Sequence, residues 1–175
     1  MFAITYLARG SLKNAKYTAI SFSKAFPAFL MCASPAPIHE SAYIGMVQYG
    51  SEFKTHIDAK FSSIRGYCGD AFASWIWFDI DFSEVRGGLP VALDACRRLV
   101  EYLISQGVPT ACLLIFFSGS KGFHVGIPSN MWSPKASPIF HKYVREFCSG
   151  IAKAAGACID TGVFSRLRSL RAPNT

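Results

Sequence analysis

The clearest pattern in the chain is the run from Ala71 to Phe82, AFASWIWFDIDF, in which aromatic and β-branched residues alternate and lead into two acids. Such a run predicts a strand. Successive strand side chains point to opposite faces, so Ile76, Phe78, Ile80 and Phe82 share one face, and Trp75, Trp77, Asp79 and Asp81 share the other. The first face reads as core and the second as the place for chemistry. Gly87-Gly88 then breaks the chain. Pro90 suits a first helical position, and Ala92, Ala95, Cys96, Leu99, Val100 and Leu103 recur at helical spacing before Gly107, which predicts an amphipathic helix packed on the sheet. Thr110 to Phe117 is a second apolar strand, SGSKG a turn and Phe123 to Ile127 a third strand, so these two strands form a hairpin. Ser137-Pro138 opens another helix that closes near Gly156. The first 65 residues mix small, aromatic and basic types around a break at Ser34-Pro35-Ala36-Pro37 and are read as an α/β lobe.

With 175 residues and 51% hydrophobic content the chain can bury a sizeable core, which predicts one domain with two lobes, about 1–70 and about 71–175. The net charge is +7 and the pI about 9.2. The excess is uneven, because Arg166, Arg168 and Arg171 crowd the last ten residues, and a polyanion is the natural partner of such a surface. Cys32, Cys68, Cys96, Cys112, Cys148 and Cys158 form no CxxC pair, so they read as free, largely buried thiols of a reducing compartment rather than as a zinc site. No apolar run approaches the roughly 18 residues of a membrane span, and Met1 to Gly10 does not resemble a signal peptide. The expectation is a soluble cytoplasmic protein without a membrane partner.

Three short elements carry candidate chemistry. Asp79 and Asp81 place two carboxylates on one strand face, where mutual repulsion favours a divalent cation; hard oxygen ligands suit Mg²⁺ or Mn²⁺. A DxD after an apolar strand also occurs in sugar-nucleotide transferases and other polymerases, and it can be a plain solvated strand end. Ser118-Gly119-Ser120-Lys121-Gly122-Phe123-His124 is a glycine-bearing turn whose N–H groups, hydroxyls and lysine could hold phosphate oxygens. It lacks the GxxxxGK[ST] pattern of a P-loop, and it could also be an ordinary hairpin loop. On the following strand His124 and Gly126 face away from Phe123, Val125 and Ile127. Asp160 supplies a third carboxylate ahead of the basic VFSRLRSLRAPNT; taken by itself, an acid capping a turn beside a solvated tail explains it better.

Taken in order, FDID, SGSKGFH and CID resemble the three motifs of the archaeo-eukaryotic primase superfamily, over about Ala71 to Thr175. The resemblance implies an α/β fold, with an N-terminal αβ lobe joined to an RRM-like mixed sheet flanked by helices. It implies two metal ions on Asp79, Asp81 and Asp160, and an incoming NTP or dNTP held by Ser118, Ser120, Lys121, Gly122 and His124. The ending RLRSLRAPNT is similar to plasmid, phage and mobile-element members; Arg166 and Arg168 are expected on the nucleotide, and Arg171, Trp75 and Trp77 on a single-stranded DNA template. Members commonly continue into a helical or helicase-linked region, so a helicase or further C-terminal domain is an expected partner. Many also carry a zinc-binding insertion, for which this chain has no cysteine and histidine spacing. The expected activity is primer synthesis or extension. The rival expectations are a replication initiator or single-strand-binding module on the same fold, and a DxD glycosyltransferase, which leaves SGSKGFH and the arginines unexplained.

Overall fold

The computed structural model describes residues 4–9, 15–25, 27, 42–82, 87–118 and 122–171. Ser120 and Lys121 lie outside the described residues, as does the side chain of Arg171. The protein is mixed α/β with two sheets, each antiparallel throughout. The chain divides into two compact units. One gathers the described residues up to Ala73, Lys135–Phe140 and those from Arg166 onward, and the other gathers Ser74–Pro134 and His141–Ser165.

In the first unit β1 (Ile4–Arg9) pairs with β2 (Lys16–Ser21) along its whole length, and with β3 (Ala42–Gly45) and β4 (Gln48–Tyr49). Two short strands extend this sheet, β5 (Ala71–Phe72) on β4 and β9 (Ser169–Arg171) on β3. Helix α1 (Glu52–Ala59) buries Phe53 and Ile57, one turn apart, against an aromatic cluster. Within it Tyr49 stacks on Phe53 at 3.9 Å and Tyr67 meets Phe53 edge-on at 4.8 Å. The hydroxyls of Tyr6 and Tyr49 donate to the carbonyls of Leu167 and Arg166 at 2.6 and 2.8 Å. Two buried phenols, which need acceptors, thereby anchor the segment leading into β9.

The second unit is built on β6 (Trp75–Asp81), β7 (Leu114–Phe117) and β8 (Gly122–Pro128), in the order β6-β8-β7. The alternation read along β6 is present: Ile76, Phe78 and Ile80 are buried, whereas Trp75, Trp77 and Asp79 are half-buried and Asp81 is exposed. Helix α2 (Gly88–Ser105) sets Ala92, Ala95, Cys96, Leu99 and Leu103 on the buried face. With Val125, Ile127 and Cys148 of α3 (Phe140–Ala154) they complete one core. Each fully buried Leu, Ile or Phe there is worth roughly 1.5–3 kcal/mol.

The strand expected over Ala71 to Phe82 is two strands. Ala71–Phe72 belongs to the first sheet, and the new strand starts after Ser74, whose carbonyl accepts the N–H of Ser129 at 2.9 Å. The strand expected from Thr110 is confined to Leu114–Phe117, because Thr110–Cys112 closes a 3-10 turn on the carbonyl of Pro109. The five described cysteines are all free; Cys96 and Cys148 are buried, and burial pushes both thiols up in pKa, but Cys68 and Cys158 are exposed. Among the described residues no helix is long and apolar enough to cross a membrane.

Candidate functional site

The face of the β6-β8-β7 sheet opposite the core is a small grid set by the strand register. Asp81 lies opposite Gly122, and Gly122 is bonded to Ser118. In the next row Asp79, His124 and Phe116 stand side by side, and beyond them Trp77, Gly126 and Leu114. Trp75 beside Pro128 closes the grid. Acids and the turn therefore occupy one end, and aromatic rings the other.

At the acidic end His124 Nε2 stands 3.3 Å from Asp79 Oδ1, both side chains largely shielded. The directly opposed register of the two residues makes the contact. Gly122 is required here by space: a Cβ at this position would collide with the carbonyl of Ile80. Ser118 closes the turn twice, its N–H donating to the carbonyl of Gly122 at 2.9 Å and its hydroxyl accepting the N–H of Gly122 at 3.1 Å. This end of the glycine-bearing turn thus has a structural cause independent of any anion.

Asp160 reaches the same strand by its backbone. Its N–H donates to the carbonyl of Asp79 at 2.7 Å, and its carboxylate accepts the N–H of Gly162 at 2.7 Å, capping the 3-10 turn Thr161–Val163. Arg145 of α3, a cation the sequence reading passed over, donates to the carbonyl of Thr161 at 3.3 Å in this turn. Nothing in local periodicity marks Arg145, since its role depends on a segment sixteen residues away.

The donor set suits a hard divalent cation in kind: Asp79 and Asp81 share a face, and Asp160 retains a second carboxylate oxygen beyond the one that caps Gly162. Among the described residues, however, no three His, Cys, Asp or Glu side chains are gathered into a metal-holding group. Arg166 and Arg168 belong to the first unit, where Arg166 Nη1 donates to the carbonyl of Tyr67 at 2.8 Å.

The aromatic end extends further than the sequence reading placed it. Trp75 and Trp77 pack at 6.1 Å, and Trp77 meets Phe116 at 5.8 Å. Gly126 makes this possible, because a Cβ there would run into the Trp77 ring. In LIFF every residue is apolar, so alternation could not assign Phe116 to a face, and Ile115, Phe116 and Phe117 are all exposed.

No family profile, curated protein or solved structure matches the chain. The class that fold and site define is a mixed α/β protein with an acid, histidine and aromatic sheet face.

Proposed function

We propose that the chain is a template-dependent nucleotidyltransferase of the archaeo-eukaryotic primase kind, making or extending primers on single-stranded DNA. The observation that carries this reading is the main-chain bond between Asp160 and Asp79, which brings the third motif to the strand of the first, with His124 of the second motif opposite Asp79. Three stretches distant in sequence thus meet at one strand, which supports the reading.

Asp79, Asp81 and Asp160 would hold Mg²⁺ or Mn²⁺, which when bound neutralises developing charge on a transferring phosphoryl group. The chain's own part is positioning. Ser118 and Gly122 bracket the segment that, with Ser120 and Lys121, would receive the phosphates of an NTP or dNTP; His124 steadies Asp79, and Arg168 adds positive charge. Arg171 serves the template backbone, and a helicase or further domain is the expected functional partner. A cytoplasmic, nucleoid-associated location belongs to the same reading.

A second reading has its own observation. Asp79 is engaged by His124 and Asp160 by its cap, as in a replication initiator or single-strand-binding module that keeps the fold without catalysis.

Nucleotide incorporation on circular single-stranded DNA, with each nucleotide set and either Mg²⁺ or Mn²⁺, separates the two. The first reading expects metal-dependent primer products that vanish in Asp79→Ala and Asp81→Ala, with both variants folded because Ile76, Phe78 and Ile80 carry the packing. DNA binding without incorporation under every condition leaves the binding module.

A further inference from the structure

We propose that the aromatic end of the sheet, Trp77 with Phe116 and Trp75, is a stacking platform for the base of the bound nucleotide, rather than a contact for the template alone. This deepens the proposed function, on which it rests for the place of the phosphates. The platform rests on the contacts among the rings and on Gly126. Phe116 is 51% exposed, so its ring is accessible, although exposure does not single it out, because Ile115 and Phe117 beside it are exposed to nearly the same degree. Its ring is not isolated, because it lies 5.8 Å from Trp77, which lies 6.1 Å from Trp75, so the three rings form a continuous surface across β6 and β7. Gly126 lies between them where any other residue would meet the Trp77 ring, so that ring can lie across β8 towards Phe116.

Position supplies the occupant. Phe116 is in register with His124, and His124 with Asp79. One strand step of two residues, about 7 Å, separates the row of Trp77 from the row of Asp79, and the same step separates Asp79 from Asp81. A nucleotide with its phosphates at the Asp81, Gly122 and Ser118 end therefore has its base one sugar away, above Phe116 and Trp77. Stacking on ring faces tolerates every base, since each has a π-face. The platform thus binds the base without selecting it, which suits an enzyme whose template chooses the nucleotide.

The test follows tryptophan fluorescence, and in parallel measures Kd by isothermal titration calorimetry, for the whole chain with Mg²⁺ titrated with a dNTP and, as a probe without a base, with inorganic triphosphate. The dNTP is expected to quench, and inorganic triphosphate to bind without quenching. Phe116→Ala is expected to raise the Kd for the dNTP about ten-fold or more while leaving that for inorganic triphosphate unchanged, and Phe116→Tyr to restore it. Equal Kd values for the dNTP in wild type and Phe116→Ala overturn the platform, and so does the absence of dNTP binding. A Phe116→Ala variant that loses affinity for oligo(dT) but not for the dNTP overturns it in favour of the template. The two proposals fail separately: base-dependent binding without incorporation removes catalysis and keeps the platform, whereas incorporation by Phe116→Ala at an unchanged nucleotide KM does the reverse.

Discussion

The N–H of Asp160 donates a 2.7 Å hydrogen bond to the carbonyl of Asp79, so the backbone at the third acid is fixed to the strand that carries the first. The Asp160 carboxylate also caps the turn beside it. These two roles can be separated by substitution. Asn caps as well as Asp, whereas Ala does not. Asp160→Asn is expected to keep wild-type stability in urea denaturation and to lose incorporation. Asp160→Ala is expected to lose incorporation and about 1 kcal/mol of stability as well. Wild-type incorporation by Asp160→Asn removes the acid from the catalytic set.

Gly122 and Gly126 lie on the same face of β8 but are constrained by different atoms. A Cβ at Gly122 meets the backbone carbonyl of Ile80, which cannot move without opening the β6-β8 pairing, whereas a Cβ at Gly126 meets the Trp77 side chain, which can turn away. Gly122→Ala is therefore expected to cost roughly 1–3 kcal/mol or more, as overpacking does, and Gly126→Ala distinctly less. Denaturation midpoints of the two variants check the order. Trp77 fluorescence is expected to shift in Gly126→Ala.

What was legible in the sequence is what one local period encodes. The two faces of β6 could be read because one side packs on α2 and the other carries Trp and Asp. The break at Ala73-Ser74 could not, since Phe72 and Trp75 flank it closely and only pairing with distant strands separates β5 from β6. Phe116 was hidden within LIFF, where no polar residue marks a face. The place of Arg166 was hidden for another reason. It depends on Tyr49 and Tyr67, more than ninety residues earlier.

The buried phenols make the first unit sensitive to alkali. Burial pushes Tyr6 and Tyr49 well above the usual phenol range because each hydroxyl is enclosed and donates to a carbonyl, which a phenolate cannot do. With the folded pKa raised, this stabilisation is complete below the unfolded phenol's value of about 10 and declines as the pH rises above it. Urea midpoints from about pH 8 to about pH 11 are expected to fall across the upper part of that interval. In Tyr49→Phe the fall is expected to be shallower, and stability at neutral pH lower by about 1 kcal/mol, the worth of one hydrogen bond. An identical alkaline slope in Tyr49→Phe would place the sensitivity elsewhere.

Arg166 separates a structural role from a catalytic one. Its Nη1 donates to the carbonyl of Tyr67 at 2.8 Å, while its own carbonyl accepts the Tyr49 hydroxyl. The guanidinium therefore ties the segment before β9 to the loop after α1, both within the first unit. Removing it leaves a partly buried carbonyl without this donor, and loss of a hydrogen bond from a charged group costs roughly 1.5–3 kcal/mol. Arg166→Ala is expected to lower the denaturation midpoint accordingly and, measured at a temperature where it is fully folded, to keep the wild-type nucleotide KM. Arg166→Lys, which keeps the charge but not the planar fork, is expected to recover only part of the stability. A raised nucleotide KM at unchanged stability would show instead that the remaining guanidinium donors reach the phosphates.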